Sequence, residues 1–358
     1  MLIKKIGAFA LASITLAMVT NVHAYSFDKP MTVTIPISPP TDSRLHAASG
    51  PSRKEVTLMK LQLTPQEKEA LFRGLGETQH ASSKGISYPG MPRAVNIGMN
   101  GVPVLDQGRH GSCVTFAVTA ALDAALGKGD YISQLCSLEL GSYFENNGYI
   151  DSGWEGTDAP VILGQIRAFG VVNKAIQKAK GCGGITEYPI INGDDTGNPM
   201  PLDEFKQKSE NVKNKFFPFI HLSMKQRFDP NFIPAIHMES ILQQVKRSLV
   251  DGHRVLAGFA TAYSPNCPTG ACATYGGARE STWAITKEIT PFVDVGGHEV
   301  VIIGYDDDAI ATDDNGQYHR GLLILRNSWG QNAGNRGEYY MSYAYFKQFV
   351  DEAATIIA

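Results

Sequence analysis

The chain is short of charge imbalance, of cysteine and of long apolar runs, and each shortage removes a class of protein. Among 358 residues, 32 basic and 35 acidic side chains leave a formal charge of −3. That balance argues against a general nucleic-acid binder. Beyond the N-terminus no run is apolar for long enough to span a bilayer. Internal repeats and phosphate-cradling glycine loops are missing, as is the strict strand and helix alternation of a doubly wound parallel sheet. What is there, 43% hydrophobic and 19% charged residues, supports a sizeable core and excludes intrinsic disorder.

The first 24 residues are a different material. Lys4 and Lys5 precede the apolar stretch from Ile6 to Val19, and Val22-His23-Ala24 closes it. This order predicts a secretory signal peptide cut after Ala24, because the run is short for a permanent anchor. The expected address is outside the cytoplasm, extracellular or, in a bacterium, periplasmic, with no membrane attachment in the mature form. Disulfides persist there, and five cysteines leave one thiol over.

Residues 25 to about 90 read as a leader set apart from the core. Met31 to Ile37 alternates apolar and polar side chains, and Lys54 to Leu63 is a second strand-like stretch. Pro39, Pro40, Asp42, Ser43 and Gly50 between them predict a long-looped hairpin. Thr64-Pro65-Gln66-Glu67 supplies an N-cap, a proline at the first helical position and a glutamate able to return the cap's hydrogen bond. A short helix is expected from Pro65 to about Gly74, with Leu71, Phe72 and Leu75 on a side that needs a surface to rest on. Glu77 to Gly90, polar and rich in Ser and Gly, reads as an exposed linker. From about Met91 to residue 358 the order is that of one α+β unit, helices early and strands late. Cys113 to Leu126, Val161 to Phe169 and Met238 to Leu249 are the expected helices. Val255 to Ala260, Glu299 to Tyr305, Leu322 to Arg326 and Glu338 to Ser342 are the expected strands.

Chemistry concentrates in Gln107-Gly108-Arg109-His110-Gly111-Ser112-Cys113, where a loop delivers a cysteine to the first turn of a helix. Backbone N–H groups and the positive helix end favour a thiolate there, the form of cysteine that attacks carbonyls. A thiolate needs a cation partner, and an imidazole can hold the proton and return it to a leaving amine. An asparagine amide can fix such a ring without adding charge. Read by itself, Cys113 also fits a small buried core residue or a disulfide partner.

The stretch resembles the papain family of cysteine proteases, with Gln-Gly, then Gly-Ser-Cys, and Gln six residues before the Cys. Two later segments match in order: Gly297-His298-Glu299-Val300, leading into Val301-Ile302-Ile303-Gly304-Tyr305, and Arg326-Asn327-Ser328-Trp329-Gly330. The resemblance implies a two-lobed papain-like fold over about 91–358, a helical lobe with the nucleophile and a β-rich lobe with His298 and Asn327. It implies Cys113 as nucleophile, His298 as general base and acid, and Asn327 orienting the imidazole under Trp329. Gln107 and the Cys113 N–H form the oxyanion hole on this reading. Gly153-Trp154-Glu155-Gly156 precedes a helix, as does the glycine-rich segment beside the substrate backbone in the family. Gly156, with Gly297 and Trp329, is therefore expected at the substrate, a plain turn being the other reading of the Gly156 segment. Peptide hydrolysis through a thioester, with protein or peptide substrates and no metal or organic cofactor, follows from the family. An acyl transferase using the same thioester, or a silent binding protein on the same fold, remains the alternative.

Several departures accompany the match. Val114 stands where an aromatic residue usually follows the nucleophile, and Ala333 where a second Trp is expected. His298 and Asn327 lie farther from Cys113 than the family's roughly 130 to 150 residues, so insertions separate the halves. The candidates are Asn192 to Asn214 and Tyr263 to Pro291. His110 replaces the family's Cys three residues before the nucleophile, so the disulfide beside the site is missing. Cys267 and Cys272 enclose the turn-rich Pro268-Thr269-Gly270-Ala271 and form the obvious local pair, leaving Cys136 to Cys182. No cysteine pair has the two-residue spacing of a structural zinc site. The leader is expected to be a propeptide, an intramolecular inhibitor that lies in the cleft and makes the exported chain a zymogen. It lacks the spaced Glu, Arg, Phe and Asn pattern of the usual papain-type propeptide. A permanent N-terminal domain is the other reading.

Overall fold

A computed structural model describes residues 30–38, 52–73, 75, 90–149, 153–190, 196–222, 234–290 and 293–358. The expected signal peptide, the loop of the leader hairpin and all but the last residue of the expected linker lie outside them.

In the leader, strands β1 (Met31–Ile37) and β2 (Ser52–Lys60) pair antiparallel from Met31 opposite Leu58 to Ile37 opposite Ser52. Their alternation turns Val33, Ile35, Val56 and Leu58 to one buried face. Helix α1 (Pro65–Leu71) begins at a capping box: the Glu67 N–H donates to Thr64 Oγ1 at 3.2 Å, and the Thr64 N–H donates to Glu67 Oε2 at 2.7 Å. It stops at Phe72, short of the expected Gly74, and Leu71 and Phe72 bury their side chains. Phe72 meets the ring of Phe349 edge-on at 5.8 Å.

After β3 (Ala94–Asn96) come helices α2 (Cys113–Leu126), α3 (Gln134–Asn146), α4 (Ala159–Phe169), α5 (Lys174–Lys180) and α6 (Leu202–Lys208). Strand β4 (Lys215–His221) and helix α7 (Pro234–Val250) lead into β5 (Val255–Tyr263), β6 (Ala273–Tyr275), β7 (Ala278–Trp283), β8 (Asp294–Asp313), β9 (Tyr318–Arg326) and β10 (Glu338–Ser342). Helix α8 (Tyr343–Phe349) and strand β11 (Val350–Ile357) complete the order. The strands neighbour one another as β4-β11-β5-β8-β6-β7-β10-β9, and β9 pairs again with β8, so the last five close a ring. Pairing is antiparallel except between β7 and β10. The architecture is α+β.

Alternation along β5 and β8 sorts the core to two faces. Val255, Ala257, Phe259, Val300 and Ile302 join α7, α8 and the leader hairpin in one cluster. Leu256, Val301 and Ile303 join α2 and α4 in another. The helical lobe therefore packs on one face of the strands that carry the second lobe. Cys136–Cys182 ties α3 to the loop after α5, and Cys267–Cys272 closes the loop before β6. Cys113 is the free thiol.

Candidate active site

Cys113 opens helix α2, which is buried along almost its whole length by alanines and small apolar residues. The N-cap Ser112 makes no side-chain cap bond. Its hydroxyl instead donates to Tyr188 Oη at 2.9 Å, and the Tyr188 hydroxyl donates to the Gln107 carbonyl at 2.9 Å. The Gln107 side chain is wholly buried; its Nε2 donates to the His110 carbonyl at 2.8 Å and its Oε1 accepts from Ser328 Oγ at 2.6 Å. Gly108 adopts φ +62°, and a Cβ there would lie 2.6 Å from the Ile190 carbonyl oxygen. Only glycine fits this turn. The His110 ring packs edge-on against Trp154 at 4.6 Å and its Nε2 lies 3.0 Å from the Pro189 carbonyl. An aromatic contact thus helps hold the loop.

Strand β8 supplies His298. Its Nε2–H donates to Asn327 Oδ1 at 2.9 Å, and that oxygen also accepts the Ser328 N–H at 2.8 Å. Trp329 stacks on the imidazole at 4.7 Å with 22° between planes, and Phe259 meets it edge-on at 5.7 Å. This arrangement leaves Nδ1 as the basic nitrogen, and it is buried without a hydrogen bond. Cys113 and His298 line one crevice where the lobes meet, together with Gly156 and Gly297. Burial pushes the Cys113 thiol up to about 12, although N–H groups of Glu299, Val114 and Cys113 pull the other way. Burial pushes His298 down to about 4 against the opposing Asn327 bond. In this covered arrangement burial favours the neutral form of both groups.

The cover is the end of strand β2. Met59 and Lys60 pair with Gly297 and Gly296 of β8, and the Leu61 N–H donates to the Val295 carbonyl at 2.9 Å. Gly156 stands at φ +128°, and a Cβ there would meet the Met59 sulfur at 2.8 Å. A Cβ on Gly297 would lie 3.5 Å from Met59 Cε. Gly156 therefore makes room for an extended chain, which here is the hairpin, while a Cβ on Gly297 would only touch it. Lys54 pairs with Asp106 and donates to the Trp329 carbonyl at 3.2 Å, while Glu55 pairs with Arg109 at 2.7 Å. Two ion pairs thus tie β2 to the loop preceding Cys113.

Sequence reasoning did not single out Tyr188, nor the carboxyl groups of Asp158, Glu299, Asp351 and Glu352 that line the same crevice. Tyr188 carried no motif. The carboxyl groups come from three separate segments, and their meeting depends on strand register alone.

No family model and no curated protein matches the chain. Solved structures do. Xylellain, a cysteine protease from Xylella fastidiosa, is 19% identical over 75% of this chain and 87% of its own, with a TM-score of 0.46. Digestive procathepsin L 3 of the Tenebrio molitor larval midgut is 16% identical over 85% and 84%, with a TM-score of 0.41. The proform of Amb a 11, a cysteine protease and ragweed pollen allergen, is 15% identical over 76% and 67%, with a TM-score of 0.44. The fold of the chain is similar to that of papain-like cysteine proteases.

Proposed function

We propose that the chain is an exported papain-like cysteine peptidase made as a zymogen. One observation carries the reading: a free cysteine at a helix N-terminus shares a crevice with an imidazole that is bonded to an asparagine and stacked under a tryptophan. His298 Nδ1 takes the Cys113 proton, and the thiolate attacks the peptide carbonyl carbon. The Cys113 N–H and Gln107 Nε2–H receive the oxyanion. As the tetrahedral adduct collapses, the C–N bond breaks and the leaving amine takes the proton from His298. Water, deprotonated by His298, then cleaves the thioester, releasing the acid and restoring the thiol.

The leader supports latency by its position. Met59 lies against both crevice glycines, so a substrate strand and β2 compete for one place. Among the described residues no helix is long and apolar enough to cross a membrane. The test uses residues 25–358 before and after limited proteolysis, with a digested-peptide library read by mass spectrometry and a thiol-reactive probe for Cys113. Cleavage and labelling should rise together after the cut. Cys113→Ala should abolish cleavage, and Gln107→Ala should slow it on the order of a hundredfold. Full activity in the uncut protein would refute latency. Peptide cleavage by Cys113→Ala at the wild-type rate would refute the mechanism.

A further inference from the structure

The stretch from Tyr263 to Pro291, which the sequence marks as a candidate insertion, holds two features with no part in the chemistry above. One is the Cys267–Cys272 disulfide, the other Trp283 at the end of β7. Trp283 is fully buried, and its strand carries it into the aromatic cluster around His298. Its ring lies 6.0 Å from His298, 6.0 Å from Trp329, 5.2 Å from Tyr339 and 5.0 Å from Phe259. All four separations fall in the range at which aromatic rings attract.

The two tryptophans are fixed in different ways. Trp329 stacks on the imidazole, yet its Nε1 is buried without a hydrogen-bond partner, so packing alone sets the place of the ring. Trp283 is anchored. Its Nε1–H donates at 3.0 Å to Thr261 Oγ1 on β5, and Thr261 is itself wholly buried. The disulfide loop backs this bond. Gly270 in the loop stands at φ +70°, and a Cβ there would lie 2.2 Å from Thr261 Oγ1 and 3.4 Å from Trp283 Nε1. The loop backbone therefore lies directly against the hydrogen bond. Its far end is fastened beside the same ring, because Cys272 bridges to Thr282, the residue before Trp283, and Ala273 pairs with Thr282. Opening the cross-link would give the loop back its freedom and leave the Thr261 bond to compete with water.

We infer that Trp283 is a positioning residue for His298 and that the Cys267–Cys272 disulfide holds it in place. This rests on the peptidase reading above and adds a part to the same site. Trp283 acts through its neighbours: backed by an anchored ring, Trp329 lies flat on the imidazole, and His298 keeps Nδ1 where it takes the Cys113 proton. The site then asks for opposite states of its cysteines, a free thiol at Cys113 and a closed bond at Cys267–Cys272.

The test uses the 25–358 protein after limited proteolysis, as wild type, as Trp283→Leu, as Thr261→Val and with Cys267→Ser and Cys272→Ser together. Thr261→Val keeps the shape of the side chain and removes only the acceptor, so it serves where the larger change prevents folding. Two readouts are taken, kcat and KM for a peptide and the pH midpoint of Cys113 alkylation by iodoacetamide. Trp283→Leu should lower kcat about tenfold or more with KM within about twofold. Its alkylation midpoint should rise by about one pH unit, because a displaced imidazolium supports the thiolate less. Thr261→Val and the double-serine form should move both readouts the same way, and Trp283→Phe, which restores a ring, should recover most of the midpoint. A midpoint does not depend on how much of the protein is folded, so lost stability alone cannot imitate the shift. The carboxyl groups of Asp158, Glu299, Asp351 and Glu352 in the same crevice are common to all forms. An unmoved midpoint in Trp283→Leu, or in Thr261→Val if the leucine form does not fold, overturns the assignment and leaves the peptidase reading standing. A shift in Trp283→Leu with none in the double-serine form overturns the part given to the disulfide. Absence of both cleavage and Cys113 labelling in the proteolysed wild type overturns both readings.

Discussion

Tyr188 holds the nucleophile loop by a hydroxyl that bridges the Ser112 side chain and the Gln107 carbonyl. Its ring stacks on Trp154 at 5.4 Å and meets Phe116 edge-on at 5.0 Å. Tyr188→Phe keeps the ring contacts and removes the bridge, leaving two polar groups to find other partners. Such a loss is worth about 1–3 kcal/mol locally. With the proposed oxyanion donors of Gln107 and Cys113 less firmly aligned, kcat for a peptide should fall about tenfold while KM stays within about twofold. Alkylation of Cys113 by iodoacetamide needs no oxyanion donor and should keep its rate. Steady-state kinetics and alkylation on the proteolysed protein check the split; an equal fall in both would make Tyr188 a general prop of the fold. The meeting of Cys113 with His298, and of His298 with Asn327, was legible because each sits in a short local motif, as was the place of Gln107 beside them. Tyr188 was not, because its role exists only once the chain has folded back over the loop.

Strands β1 and β2 behave as part of the β-rich lobe's core. Ile35, Val56 and Leu58 are fully buried and share a cluster with Trp329, Ala333 and Tyr339. Leu58→Ala should therefore lower the stability of the uncut chain by about 2–5 kcal/mol. A urea unfolding curve should show this as a single transition moved to lower denaturant. A separate early transition, with the main one unmoved, would mean that the hairpin folds as its own unit. The hairpin and the capped helix were legible from alternation and from Thr64-Pro65-Gln66-Glu67. Helix α2 was legible because alanine-dense sequence with no turn residue admits little else. Other elements were hidden by their own composition. Strand β11 buries Asp351 and Glu352, two residues that a sequence reading places in solvent. Strand β8 runs on to Asp313, well past the expected Tyr305, through the acidic run 306–308. Arg93 and Arg320 pair with Asp308, and Lys246 and the Tyr343 hydroxyl bond Asp307 at 2.6 Å, which offsets that charge within the strand. None of these partners is near in sequence.

Across the whole molecule, the proposed latency makes covering the crevice and silencing the chemistry one event. Burial opposes the thiolate at Cys113 and the imidazolium at His298, so both shifts run against the ion pair that the reaction needs. In the uncut chain the rate of Cys113 alkylation should climb only above pH 9, toward the thiol's value of about 12. Once the hairpin is cut away and water enters, the helix end and imidazole favour the thiolate, and the midpoint should fall below that of an ordinary thiol. Iodoacetamide rates measured against pH before and after proteolysis check this, and coincident profiles would separate cover from silence. The pairing of Met59 with Gly297 has a further meaning in time. A ribosome makes a chain from its N-terminus, so the hairpin emerges before the helix that carries Cys113. Strand β8 and the segment bearing Asn327 follow much later. The groove is completed by the last-made third of the protein, against a covering strand that was made first. At no moment of its birth is the crevice whole and the strand still to come.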